Sequence, residues 1–140
     1  MDLTRVTTEE SVKTYLATND IFCGLIKEIR ELSKKKPDAI MSKGKVKIIN
    51  RVLEDIKNIL EVEPEGKFLD LLDDNELPQT SDAVLIMVQY ETALSAFKNK
   101  YFQRYKTGAG TYDYKTDWVT SEFLKEYEAY EQYTKLKLIL

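Results

Sequence analysis

With 140 residues, 43% of them apolar and 32% charged, the chain is long enough to bury one hydrophobic core and has the make-up of a globular protein, not of a disordered or membrane-embedded one. Its net charge is −3 and it has no histidine, which removes the commonest general base at neutral pH and the commonest transition-metal ligand, and with them Ser/His/Asp catalysis, Cys/His catalysis and mixed Cys/His zinc sites. One cysteine, Cys23, allows no intrachain disulfide, no asparagine lies in a glycosylation sequon, the start lacks a signal-peptide layout, and the longest apolar run is Ala83 to Val88, so the expected setting is the cytoplasm.

Thr7 and Glu10 have the spacing of a capping box and open a short helix to about Ala17. Asn19 or Asp20 then caps a second helix, in which Ile21, Phe22, Leu25, Ile26, Ile29 and Leu32 recur at steps of three and four until Pro37 stops it. Past Gly44, Ile49, Val52, Leu53, Ile56, Ile59 and Leu60 form the apolar stripe of a strongly amphipathic helix that ends at Pro64 and Gly66. Phe68, Leu69, Leu71 and Leu72 predict about two further turns, and Asp73 to Thr80 reads as a loop. Ser81 or Asp82 caps the longest helix, where Ala83, Met87, Tyr90, Leu94, Phe97 and Tyr101 alternate steps of four and three and mark a packing seam.

Lys106 to Asp117, with Gly108, Gly110 and two tyrosines, reads as a long loop. Asp117 caps a last helix bearing Trp118, Phe123, Leu124, Tyr127, Tyr130, Tyr133 and Leu136, before the apolar end Leu138, Ile139 and Leu140. No strand alternation, repeat or linker interrupts this pattern. The predicted architecture is all-α, a single-domain helical bundle over residues 1–140 with about four principal helices and one or two short ones.

Three groups of residues are candidates for function. Lys34, Lys35, Lys36, Lys43, Lys45, Lys47 and Arg51 are opposed in their stretch only by Asp38, and such a segment suits sequence-independent contacts to phosphates. The stretch that follows, residues 54–76, is acidic, and its densest carboxylates, Asp70, Asp73, Asp74 and Glu76, are the residues on which a Mg²⁺ or Ca²⁺ site or an enzyme could be built. They lack EF-hand spacing and its glycine, and no metal or cofactor is expected. Cys23 is expected to be a small buried hydrophobe.

The third group is aromatic. Tyr90, Phe97, Tyr101, Phe123, Tyr127 and Tyr130 fall on core stripes, whereas Tyr105, Tyr112, Tyr114 and Trp118 gather about the long loop, where large rings with polar tips suit an interface. Together with Leu138, Ile139 and Leu140 they form the expected partner-binding surface. The expected function is that of a non-enzymatic interaction module binding a protein partner or a second copy of itself. The alternative is a nucleic-acid-associated protein using Lys34 to Arg51.

Overall fold

The computed structural model describes residues 1–139, so Leu140 of the expected partner-binding surface lies outside the described residues. Four α-helices dominate: α1 (Glu9–Lys35), α2 (Lys43–Leu60), α3 (Thr80–Tyr101) and α4 (Ser121–Ile139). The chain is mostly helical but not purely so, because β1 (Phe102–Lys106) and β2 (Tyr114–Trp118) form a two-stranded antiparallel sheet where a loop was expected. Its close contacts fall into two units, one made of residues 13–97 and the other of residues 1–12 with the chain from Lys98 onward. None of the described helices is long and apolar enough to cross a membrane.

In the unit of residues 13–97, α1 is one continuous helix where two were expected. Asn19 and Asp20 cap a helix only where the backbone turns extended, and here nothing forces it to. Thr18 is buried, its hydroxyl donating back to the Thr14 carbonyl at 2.7 Å, and it fills the gap in the apolar stripe between Tyr15 and Phe22. Glu9 and Glu10 at the start and Lys34 and Lys35 at the end match the helix dipole. Cys23 and Ile21 lie off this stripe and are exposed, contrary to expectation for both.

Ser42 caps α2 by accepting the Lys45 N–H at 3.2 Å, and Val46, Ile49, Leu53, Ile56 and Leu60 form its buried face. The expected α-helical turns at 68–72 are absent. A 3₁₀ turn at Pro64–Phe68 precedes extended chain in which Leu69 and Leu72 are buried. The Asn50 amide holds that chain, donating to the Leu72 carbonyl at 2.8 Å and accepting its N–H at 2.9 Å. At Gly66 the backbone passes so near the Leu60 carbonyl that a Cβ would overlap it, which reserves the position for glycine.

The α3 seam is as expected: Ala83, Met87, Tyr90, Leu94 and Phe97 are all buried. Phe97 stacks on Tyr15 of α1 with ring centroids 5.6 Å apart, and Tyr90 meets Phe22 at 6.5 Å. The Tyr90 hydroxyl donates to the Asp70 carbonyl at 2.9 Å. Arg30 and Glu91 add a two-pronged ion pair at 2.8 and 3.0 Å, and the buried Thr80 hydroxyl ties the start of α3 to the Lys36 carbonyl at 2.6 Å.

In the other unit, Thr8 caps α1 in place of Thr7, accepting the Ser11 N–H at 3.1 Å, while Thr7 forms a parallel bridge with Thr120. Gln103 of β1 anchors the first residues: its amide nitrogen donates to the Asp2 and Arg5 carbonyls, both at 2.9 Å, and its oxygen accepts the Asp2 N–H at 2.7 Å. Strands β1 and β2 pair from Phe102 opposite Trp118 to Lys106 opposite Tyr114. The turn between them is closed by the Thr107 N–H on the Asp113 carbonyl at 2.8 Å, and the Asp113 carboxylate accepts the Gly110 N–H at 2.9 Å. Thr120 caps α4 by accepting the Phe123 N–H at 3.1 Å, in place of Asp117, whose carboxylate is used within the sheet.

Candidate docking surface of the hairpin and last helix

The sequence of α4 contains Phe123, Leu124, Tyr127, Tyr130, Tyr133, Leu136, Leu138 and Ile139, yet none of its described residues is buried. Phe123, Leu124 and Tyr127 are half-buried, and everything from Glu128 to Ile139 is exposed. Tyr130 and Tyr133 keep 64% and 62% of their surface in water, Leu136 59%, Leu138 84% and Ile139 80%. Tyr130 therefore leaves the core stripe expected for it. A helix with apolar residues on more than one side ordinarily finds cover, and the second half of α4 has none within its own unit.

The first half of α4 shows what this helix packs against. Alternation along β1 and β2 gives the sheet two faces, and Tyr105 lies on the one turned to α4. Its ring meets Phe123 and Tyr127 edge-on at 5.6 and 6.1 Å, and those two stack on each other at 6.2 Å. The Tyr105 hydroxyl donates to the Asp117 carboxylate at 2.6 Å; that bond first and partial burial second push its pKa up to about 12. Tyr127 is raised as well, chiefly by donating to the Glu131 carboxylate. Both phenols thus stay neutral donors across the physiological range.

Between the hairpin and α4, from Phe123 to Lys135, lies an open groove of about 700 Å³. Tyr105, Phe123, Tyr127 and Tyr130 supply its aromatic lining. Lys106, Thr107 and Lys115 form the hairpin wall, and Glu126, Glu131, Thr134 and Lys135 the helix wall. An apolar floor with ionic groups of both signs on the walls has the make-up of a peptide- or helix-accepting groove.

The expected partner-binding residues do not gather in one patch. Tyr105 is at the groove, and Leu138 and Ile139 lie at the exposed end of α4. Tyr114 and Trp118 occupy the opposite face of the sheet, where Arg104 lies 4.1 Å from the Tyr114 ring and Trp118 packs on Phe102 at 5.1 Å. Tyr112 is at the turn, 94% exposed. Phe123, Tyr127, Tyr130 and the groove's charged residues were missed as site residues. Their signal was the i, i+4, i+7 spacing of the three rings, which equally describes a core stripe.

All seven basic residues from Lys34 to Arg51 are exposed. Lys34 pairs with Glu31 at 3.3 Å. Lys43, Lys47 and Arg51 follow one another at helical spacing on α2, with the exposed Glu54 and Asp55 one turn on, so acids interrupt that stripe. Lys45 projects elsewhere, beside Ile48 and Ile49, into a smaller depression of about 310 Å³ shared with Leu25, Ile29 and Leu32. In the acidic group, Asp73 accepts the N–H groups of Asn75 and Glu76 at 2.8 and 2.9 Å, bonds that lower its pKa, and among the described residues no three His, Cys, Asp or Glu come together as ligands.

No protein-family model matches the chain, and no curated protein or solved structure matches it at a significant level.

Proposed function

We propose that the protein is a non-enzymatic interaction module that docks on a protein, a second copy of itself included, through α4 and the aromatic groove beside it. The observation that carries this reading is the second half of α4, a helical segment with large apolar side chains and no buried residue. A segment of about a dozen residues is marginal as a helix in water, and packing of an apolar face is what ordinarily holds one. Water-exposed tyrosine, leucine and isoleucine on consecutive turns present the anchors that helix-in-groove docking uses.

The groove adds specificity to that surface, since lysines on its hairpin wall and glutamates on its helix wall favour a segment with matching charges. Photo-crosslinking in living cells tests the reading. A photoreactive phenylalanine analogue at Tyr130 should give one discrete adduct, at twice the chain mass for self-docking or at another fixed mass for a different protein. The same probe at the exposed Glu54 of α2 should give none. Equal, diffuse labelling at both positions would overturn the proposal.

A further inference from the structure

The face of the β1–β2 sheet turned away from α4 has a composition of its own. Strand alternation and register place Phe102, Arg104 and Lys106 of β1 beside Trp118, Thr116 and Tyr114 of β2. At the inner end Phe102 and Trp118 are half-buried against each other, and outward from them Arg104, Lys106, Tyr114 and Thr116 are all exposed. Lys98 adds a cation 5.5 Å from the Phe102 ring, and Tyr112 stands at the tip.

No acid shares this face. Of the two acids in the hairpin, Asp117 is on the opposite side, bonded to Tyr105, and Asp113 is held by the Gly110 N–H in the turn. From Lys98 to Trp118 the chain has five cations against those two acids, a local reversal of sign in a protein of net charge −3.

We infer that this open face binds single-stranded nucleic acid, with Arg104, Lys106 and Lys98 on the phosphates and Tyr114, Tyr112 and the Phe102–Trp118 pair as platforms for unpaired bases. The five-residue strands give a track of about 17 Å on which cations and rings interleave. That is the combination used for sequence-tolerant strand binding, where lysine and arginine follow the backbone and every base offers a ring to stack. An acidic peptide would use the cations and leave the rings idle. A duplex would hide its bases from them. Arg104, whose guanidinium carbon lies 4.1 Å from the Tyr114 ring centroid, can hold a base from one side and a phosphate from its edge.

This face is turned away from the α4 groove and borders it only through Lys106, and its test uses Arg104, Lys98 and Tyr114, none of which lines that groove. Trp118 is the only tryptophan, so its fluorescence reports from the site itself. The full chain is titrated at several salt concentrations with an oligothymidylate of about 15 nucleotides, a duplex of the same length and a polyglutamate peptide, following Trp118 emission and probe anisotropy. The expected result is Trp118 quenching by the single strand, tighter binding than to either other probe, and a steep loss of affinity with salt. Arg104→Glu with Lys98→Glu should weaken binding at least about ten-fold and flatten the salt dependence. Tyr114→Ala should weaken it by roughly ten-fold at unchanged salt dependence, while Lys43→Glu with Lys47→Glu, on α2, should leave it unchanged. All of these side chains are exposed, and circular dichroism confirms that each variant folds. No quenching, equal or tighter binding to duplex or polyglutamate, or a loss confined to the α2 variant would each overturn the inference.

Discussion

Replacing Tyr133, Leu136 and Ile139 together by serine should weaken docking by at least about 100-fold while leaving the fold as stable as before. Each of these side chains is more than half exposed, so each has most of its apolar surface still to remove from water. Full burial of a side chain of this size is worth about 1.5–3 kcal/mol, and three of them, with about two thirds of that realised, exceed the roughly 2.7 kcal/mol of a 100-fold change. The same exposure means that folding gains little from them. The check is the yield of the Tyr130 crosslink, which should fall to background, together with the urea midpoint, which should stay within about 0.5 kcal/mol of the parent. An unchanged adduct would show that other residues make the interface.

The opposite outcome is expected at Tyr90. Its side chain is fully buried, its ring meets Phe22, and its hydroxyl donates to the Asp70 carbonyl at 2.9 Å; burial, with Asp70 nearby, pushes its pKa up to about 12 and keeps it neutral. Tyr90→Ala removes a large ring from the middle of the α3 seam and should cost about 3–5 kcal/mol. Tyr90→Phe keeps the ring and strands only the carbonyl, for about 1–2 kcal/mol. Urea unfolding followed by far-UV circular dichroism measures both. A Tyr90→Ala cost below about 1 kcal/mol would mean that this seam does not hold the helices of residues 13–97 together.

The helices were legible where a buried stripe and a breaker coincide. The α2 and α3 stripes from Ile49 to Phe97 were read with their buried positions largely right, because Pro64 and Gly66 end the first, although Ser81 and Asp82, expected to cap α3, lie inside its first turn. The split in α1 was an error of the opposite kind. Thr18, Asn19 and Asp20 have capping chemistry, but a cap acts only where the backbone leaves the helix, and the continuing apolar stripe keeps it there. The hairpin was hidden because its faces do not alternate between apolar and polar. Its inward face holds Gln103, Tyr105 and Asp117 satisfied by hydrogen bonds, and its outward face mixes rings with cations.

The candidate site was half legible for the same reason. Tyr105 and the end of α4 were singled out by chemistry, since large aromatic and apolar residues near a terminus suggest an interface. Phe123, Tyr127 and Tyr130 were assigned to a core because spacing alone cannot say whether anything lies opposite a stripe. Only the structure shows where cover ends, since Tyr127 meets the Tyr105 ring whereas Tyr130 is 64% exposed.

The most direct measurement of whether α4 has a surface to offer is amide hydrogen exchange along this helix in dilute, purified protein. The expected result is a break in protection: slow exchange where Phe123 and Tyr127 pack on Tyr105, and exchange approaching the unprotected rate from about Ala129 to Ile139, where nothing in the same unit holds the helix. Uniform protection to the end of α4, equal to that of α3 and independent of dilution, would contradict it. The helix would then be held within its own chain and have no free face for a partner.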